Sequence, residues 1–416
     1  MKTKEIKGIT LIALVVTIVV LLILAVTSIT MLNGQNGILT KAIQSKTKTE
    51  ETAEKEAIKL AITASKMENI YLTDSMTENV ENALRQQLGK NVNFTITDSE
   101  DNSFTIKFNG TNRVYYIEKS GKIIENDDIL KISTIDDLKS FRNDVNNGNT
   151  FDGKYICLMN DITLDASENW IPISNFKGTF LGNNYDINNV CLNETITDGK
   201  EYQFFGLFGA NDGTIQNLNV NGNISIISHS NNIIIGLVAG LNSGIIKKCS
   251  SSGSISIQGN QQSGYIAVGG VIGQNQDTGM VESCSNNTSI LSTAKTIYTG
   301  GIVGSNNNNV CKSYNTGSIE VTKNLENGNI WTGGIAGYTG KGIIELCFNI
   351  ADVAGEGFTG AICGLLGGSG ETYVKKCKYN NSNIDGIGKN VYVNEESIEA
   401  EKDTILTIED ILKVID

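Results

Sequence analysis

Gly269-Gly270-Val271-Ile272-Gly273 opens a block of short apolar strands separated by polar turns, and the chain repeats that block. Upstream the opening reads Gly206-Leu207-Phe208-Gly209 and Gly236-Leu237-Val238-Ala239-Gly240. Downstream it reads Gly300-Gly301-Ile302-Val303-Gly304, Gly333-Gly334-Ile335-Ala336-Gly337 and Gly360-Ala361-Ile362-Cys363-Gly364. The closing glycines are 31, 33, 31, 33 and 27 residues apart. A near-regular period of this length marks a solenoid, because one block is too small to bury its own apolar side and must stack on the next. No helical stretch separates the strands, so a βαβ reading fails. The glycines suit corners that need positive φ or close backbone approach.

Composition agrees. Of 416 residues, 44 are Gly and 1 is Pro, and aromatics make up only 6%, so many short turns and few bulky core residues are expected. The length allows two or three domains. The net charge of -12 argues against a nucleic-acid partner and suits an exported surface.

One slot of the repeat explains most of the cysteines. Three positions after an apolar residue stand Cys249, Cys284, Cys347 and Cys377, and the same register puts Leu218 and Ser313 in this slot. A thiolate metal site would not accept Leu, so no metal is expected. An inward column of small side chains fits better. Stacked side chains point the same way, a poor disulfide geometry. Buried free thiols are therefore expected, with disulfides as the alternative. Cys157, Cys191, Cys311 and Cys363 lie outside the column.

Ahead of the repeat the chain reads in zones. Residues 40–68 form a solvated amphipathic helix, and residues 77–88 a second one ending at Gly89. Three short runs, 92–97, 103–108 and 113–118, are punctuated by Asp101-Asn102 and Asn109-Gly110 as hairpin strands. Ile135 to Phe141 is a short amphipathic helix, followed by strands of four or five residues alternating with Gly/Asn turns. After residue 394 the tail is acidic, and Ile408-Glu409-Asp410-Ile411-Leu412 offers an amphipathic helix to cap the last coil.

At the N-terminus, Lys2, Lys4 and Lys7 precede an uncharged run over residues 8–24. With its continuation it spans about 21 residues, or roughly 30 Å of helix, enough to cross a bilayer. The positive-inside rule puts the rest of the chain outside.

Two family resemblances follow from these residues. The six glycine blocks resemble the GLUG motif, and residues from about 132 to 193 resemble the opening coils of right-handed parallel β-helices that carry it. Lys7-Gly8-Ile9-Thr10-Leu11-Ile12 resembles the N-terminal methylation motif of type IV pilins and pseudopilins, with Ile9 and Ala13 where that family has Phe and Glu. This second resemblance implies cleavage by prepilin peptidase between Gly8 and Ile9, and other pilins as partners.

Catalytic motifs are not found. His229 is a loop histidine expected to be solvated. The paired carboxylates Asp127-Asp128 and Asp136-Asp137 lie before the repeat, and acids within it fall at different places in successive blocks. No catalytic residue, cofactor or metal is expected.

The expected fold is mainly β: a transmembrane pilin-type helix, a small α+β head, then a right-handed parallel β-helix. The expected segments are a leader at 1–8, the membrane helix at 9–31, the head at 32–125, the β-helix at 126–393 with its core at 204–380, and an acidic cap at 394–416. The expected function is a single-pass membrane protein of a bacterial surface, its C-terminal region outside in a pilus or pseudopilus. It would be non-enzymatic and display the β-helix for adhesion to a surface glycan or protein. The alternatives are a polysaccharide lyase or hydrolase held at the surface, and an accessory pseudopilin of a type II secretion or DNA-uptake system.

Overall fold

A computed structural model describes residues 38–415, apart from 69–75, 90–91, 99–103, 112, 118–120, 125–128, 198–201, 230–231, 260–263, 324–327, 369–371, 381–382, 392–397 and 404. The chain divides into two compact units, Met1–Glu125 and Asn126–Asp416.

The first unit holds helix α1 (Ile38–Glu68), helix α2 (Met76–Leu88) and strands β1 (Phe94–Asp98), β2 (Phe104–Phe108) and β3 (Arg113–Ile117). The strands form an antiparallel sheet in the order β1-β2-β3. On α1, Ala57, Ile58, Ala61 and Ile62 recur at helical spacing, and they bury against Val80 and Leu84 of α2 and Phe104, Ile106 and Ile117 of the sheet. A buried carboxylate ties helix to sheet. Glu54 accepts hydrogen bonds from Arg113 Nε at 2.7 Å, Tyr115 Oη at 2.7 Å and Thr111 Oγ1 at 3.0 Å. Burial alone would raise its pKa. The hydrogen bonds from Arg113, Tyr115 and Thr111 outweigh that and hold it below the ordinary value.

The expected fold needs one correction here. Among the described residues no helix is long and apolar enough to cross a membrane. The long helix that is described, α1, carries Lys, Glu and Thr along its length and keeps only one face apolar. The mainly β fold therefore stands without the transmembrane pilin-type helix, and the stretch 9–31 assigned to it lies outside the described residues.

The second unit is a parallel β-solenoid of the right-handed type, of about six turns. Its entrance is closed by helix α3 (Ile135–Asn146). Thr134 and Asp137 form a reciprocal capping box, so this carboxylate starts a helix. The α3 side chains Leu138, Phe141 and Val145 are buried. Phe141 packs on Phe151, Phe176 and Phe180 with ring centroids 5.1, 5.7 and 5.9 Å apart.

From Gln203 to Tyr379 each coil runs through three sheets: a wide sheet of 19 strand segments, one of seven strands and one of six. In the coil that holds the opening motif, Ile266–Gly269 lies in the six-stranded sheet and Ile272–Asn275 in the seven-stranded one. Met280–Glu282 and Ser285–Ala294 follow in the wide sheet. The strands stack in parallel and in register, Phe208↔Ala239↔Ile272↔Val303↔Ala336↔Cys363.

The glycine block is the corner between the six- and seven-stranded sheets. Here close approach excludes a side chain, with positive φ added at Gly206. A Cβ on Gly304 would lie 2.5 Å from Val268 N, and one on Gly273 would lie 2.6 Å from Ile235 N. Left-handed backbone falls elsewhere, on a non-glycine residue just before the cysteine slot. Asn217, Lys248, Ser283, Lys312, Leu346 and Lys376 all have φ between 50 and 53°. This is the second corner of each coil. Its conformation is one that L-residues adopt at a cost of roughly 1–2 kcal/mol.

Inside, aliphatic rows such as Ile215, Ile246, Val281, Val310, Ile344 and Val374 are fully buried. Beside them run two files of buried asparagine. Asn211 donates to Asn242, Asn242 to Asn275 and Asn275 to Asn306, at 2.8, 2.8 and 2.9 Å. In the wide sheet Ser251 donates to Asn286, Asn286 to Asn315 and Asn315 to Asn349, at 2.8, 2.7 and 2.9 Å. Each amide also bonds backbone, as Asn306 Nδ2 does to Asn308 O. A buried polar file of this kind fixes register, because a slipped coil would strand its amides.

At the C-terminus helix α4 (Ile408–Ile415) seats Ile411 and Ile415, with Leu406, against Phe348. Tyr314 and Ile350 pack against that cluster from the outer side of the wide sheet.

Candidate binding face

The residues singled out in the sequence separate in space. Gly8 and Ile9 lie outside the described residues. His229 is exposed, its backbone N–H donating to Ile196 O. The described cysteines are free thiols. In the column, Cys249, Cys284, Cys347 and Cys377 are buried, and each thiol lies near the carbonyl two residues earlier, as Cys284 Sγ does to Glu282 O at 3.3 Å. Burial raises the pKa of Cys284 and Cys347 well above the ordinary thiol value, which keeps them protonated and unreactive. Among the described residues no group of three or more His, Cys, Asp or Glu could hold a metal ion.

What the structure does assemble is a band of aromatic rings along one outer flank. Two in-register rows build it. In the six-stranded sheet the row reads Phe204, Ile234, Ala267, Tyr298, Trp331, Phe358. In the seven-stranded sheet it reads Ala210, Leu241, Gln274, Ser305, Tyr338, Leu365, Lys389. The glycine corner brings the rows side by side. Tyr298 stacks on Trp331 at 4.9 Å and meets Tyr338 at 5.3 Å. Tyr265 joins edge-on to Tyr298 at 5.1 Å and donates from Oη to Gln274 Oε1 at 3.2 Å.

The ends of the band are open. Tyr202, stacked on Phe204, is 50% exposed, and Phe358 is 41% exposed with the Lys389 ammonium 4.4 Å from its ring centroid. Between them the rings are half-buried. Burial pushes the Tyr265 phenol up to about 12, with the neighbouring tyrosines adding to it, and also raises Tyr298 and Tyr338. All three therefore remain protonated hydroxyls at neutral pH. Trp331 Nε1 is buried and finds no acceptor among the described residues. Neither row contains a carboxylate.

Sequence reading missed this face. Its signal is an aromatic two residues before a block, in Tyr298-Thr299-Gly300, Trp331-Thr332-Gly333 and Phe358-Thr359-Gly360, joined by Tyr338 just after Gly337. The two positions become neighbours only when the corner is folded.

A second flank, on the wide sheet, is polar and uncharged. The strands Asn219–Ser228, Ser250–Gly259 and Ser285–Ala294 hold no charged residue. Their outward hydroxyls and amides bond from coil to coil, as in Ser254 to Asn223 at 2.8 Å and Thr293 with Thr322 at 2.8 Å.

No family model matches the chain, the GLUG and pilin families included, and no curated protein matches it. Among solved structures the chain is similar to an IgA1 protease at a TM-score of 0.37 and 17% identity, over 75% of this chain and 25% of that one. The chain thus spans about a quarter of that protein's length.

Proposed function

We propose that the protein is a non-enzymatic adhesion rod, displayed on the outside of a cell, whose solenoid holds a contact face for a surface ligand. The observation that carries this reading is the division of labour among side chains. Between Gly209 and Lys378 no aromatic side chain belongs to the interior cluster, while Tyr265, Tyr298, Trp331, Tyr338 and Phe358 gather on one outer flank. Aliphatic residues and asparagine files already fill and register the core. Rings kept outside at the cost of exposure are the composition of a contact surface. The GLUG-type glycine corner belongs to the same reading, since it is what sets the two rows side by side.

Export is a separate part of the proposal and rests on the sequence: three lysines before the uncharged run 8–24, with processing between Gly8 and Ile9. Beads coated with the full chain test the adhesive reading. They are expected to adhere to polysaccharide-coated or protein-coated glass above the level of uncoated beads, and equal retention would sink the reading. The mass of the exported chain's N-terminus tests processing, with Ile9 as the expected first residue and an intact Met1 as the contrary result.

A further inference from the structure

We infer that the aromatic band is a binding site for one uncharged glycan chain lying along the solenoid axis. This deepens the adhesive reading and rests on it. From Phe204 to Phe358 the row takes five register steps, which at the usual strand spacing is about 24 Å. Ile234 and Ala267 within it are fully buried, so a guest would rest on Tyr202 and Phe204 at one end and on the run from Tyr265 and Tyr298 to Phe358 at the other.

The chemistry of the rows selects the guest. Their only charge is Lys389, in a chain whose net charge is -12. An acidic or basic polymer would find no matching charge along the track, so an uncharged one is favoured. The rings offer apolar edges, and the phenols of Tyr265, Tyr298 and Tyr338, with Gln274, offer donors and acceptors at intervals. A sugar chain, with C–H faces and hydroxyl rims, matches that alternation. Trp331 Nε1 is buried, so a guest would meet the exposed part of the indole ring rather than its N–H.

Other guests fit less well. A peptide that binds as an added strand gains its affinity from a free sheet edge, whereas the band lies on the faces of two sheets that meet at a corner. A membrane surface calls for basic residues beside protruding apolar ones, and the rows hold a single lysine.

The test uses tryptophan fluorescence of the full chain. It has only two tryptophans, and Trp170 is buried with Nε1 bonded to Leu207 O, so Trp331 is the reporter. Cellohexaose, xylohexaose and chitohexaose are titrated against hexagalacturonate. At least one neutral hexasaccharide is expected to shift Trp331 emission saturably, and hexagalacturonate to leave it unchanged. Tyr202→Glu and Phe358→Glu change exposed ends of the band and are expected to weaken that binding at least tenfold with the circular dichroism unaltered. Ser254→Glu, on the polar flank, is expected to bind as the unaltered chain does. No shift with any neutral sugar, binding of hexagalacturonate alone, or undiminished binding by both end variants overturns the inference. The bead assay separates the two levels: adhesion to protein-coated glass alone leaves the adhesive rod standing and removes the glycan site, and adhesion to neither removes both.

Discussion

Glu54 in the first unit and Asn275 in the solenoid are both buried polar side chains, and each is satisfied differently. Glu54 is a single anion that gathers Arg113, Tyr115 and Thr111 around itself. Asn275 is one member of a neutral file, receiving from Asn242 and donating to Asn306 and to Gly279 O. The first arrangement is local, charged and coupled to pH. The second is distributed, uncharged and indifferent to pH. One chain thus holds a unit fastened at a point and a unit fastened along a line.

The sharpest way to break the comparison is at the glycine corner. Gly304→Val puts a branched side chain where a Cβ alone would lie 2.5 Å from Val268 N. The neighbouring atoms are backbone of a stacked coil and cannot give way, so the loss is expected to exceed ~4 kcal/mol. Denaturant unfolding should show the solenoid transition lost or split, while the helical signal of α1 and α2 persists. A near-normal transition would refute the close packing of the corner.

Asn275→Ala should cost about 3 kcal/mol, because it leaves a buried amide on Asn242 and a buried acceptor on Asn306 short of a partner. That cost should be the same at pH 4 and pH 8, since no group in the file titrates there. A loss that varies with pH would contradict the neutral-file account.

Glu54→Gln should cost about 2 kcal/mol at pH 7, confined to the first unit, by weakening charge-assisted bonds from Arg113 and Tyr115. The folded Glu54 pKa lies below its unfolded value of 4.5, so its contribution is fully present above that value and is lost as pH falls through the folded pKa. The unaltered protein should therefore loosen its first unit in acid before its solenoid, and the gap between variant and parent should close in the same range. Hydrogen exchange of α1 amides on stepping from pH 7 to 3 reads both.

The smallest effect expected is a gain. Lys312 is left-handed at φ 50°. Glycine there removes the Cβ penalty but adds unfolded-chain entropy, for a net stabilisation of about 0.5 kcal/mol. A lower solenoid melting temperature for Lys312→Gly would show that the lysine stem contributes more than its backbone costs.

Much of this architecture is legible in the sequence because a solenoid writes its packing as a period. The glycine blocks, the strands that follow and the cysteine slot with Leu218 and Ser313 all recur at near-regular intervals. The left-handed corner does not, since Asn, Lys, Ser and Leu share that position and no residue type marks it. The band is hidden for another reason. Tyr298 and Tyr338 belong to different coils and different strands, and only the folded corner makes them neighbours. Helix α4 announces an apolar stripe through Ile411 and Ile415, but nothing in its own residues names Phe348 as the surface that receives it.

The matched register of successive coils has a consequence for how such a molecule can change. Asn211, Asn242, Asn275 and Asn306 occupy one place in four coils, so the inner two, Asn242 and Asn275, each have an asparagine above and below. Excising residues 242–274 would set Asn275 where Asn242 stood, and the file would close without a new type of contact. Length in this protein is therefore an integer, adjustable by whole coils, while the chemistry of any one coil can drift on its outer rows. A band built from such rows can be lengthened, shortened or rewritten one rung at a time.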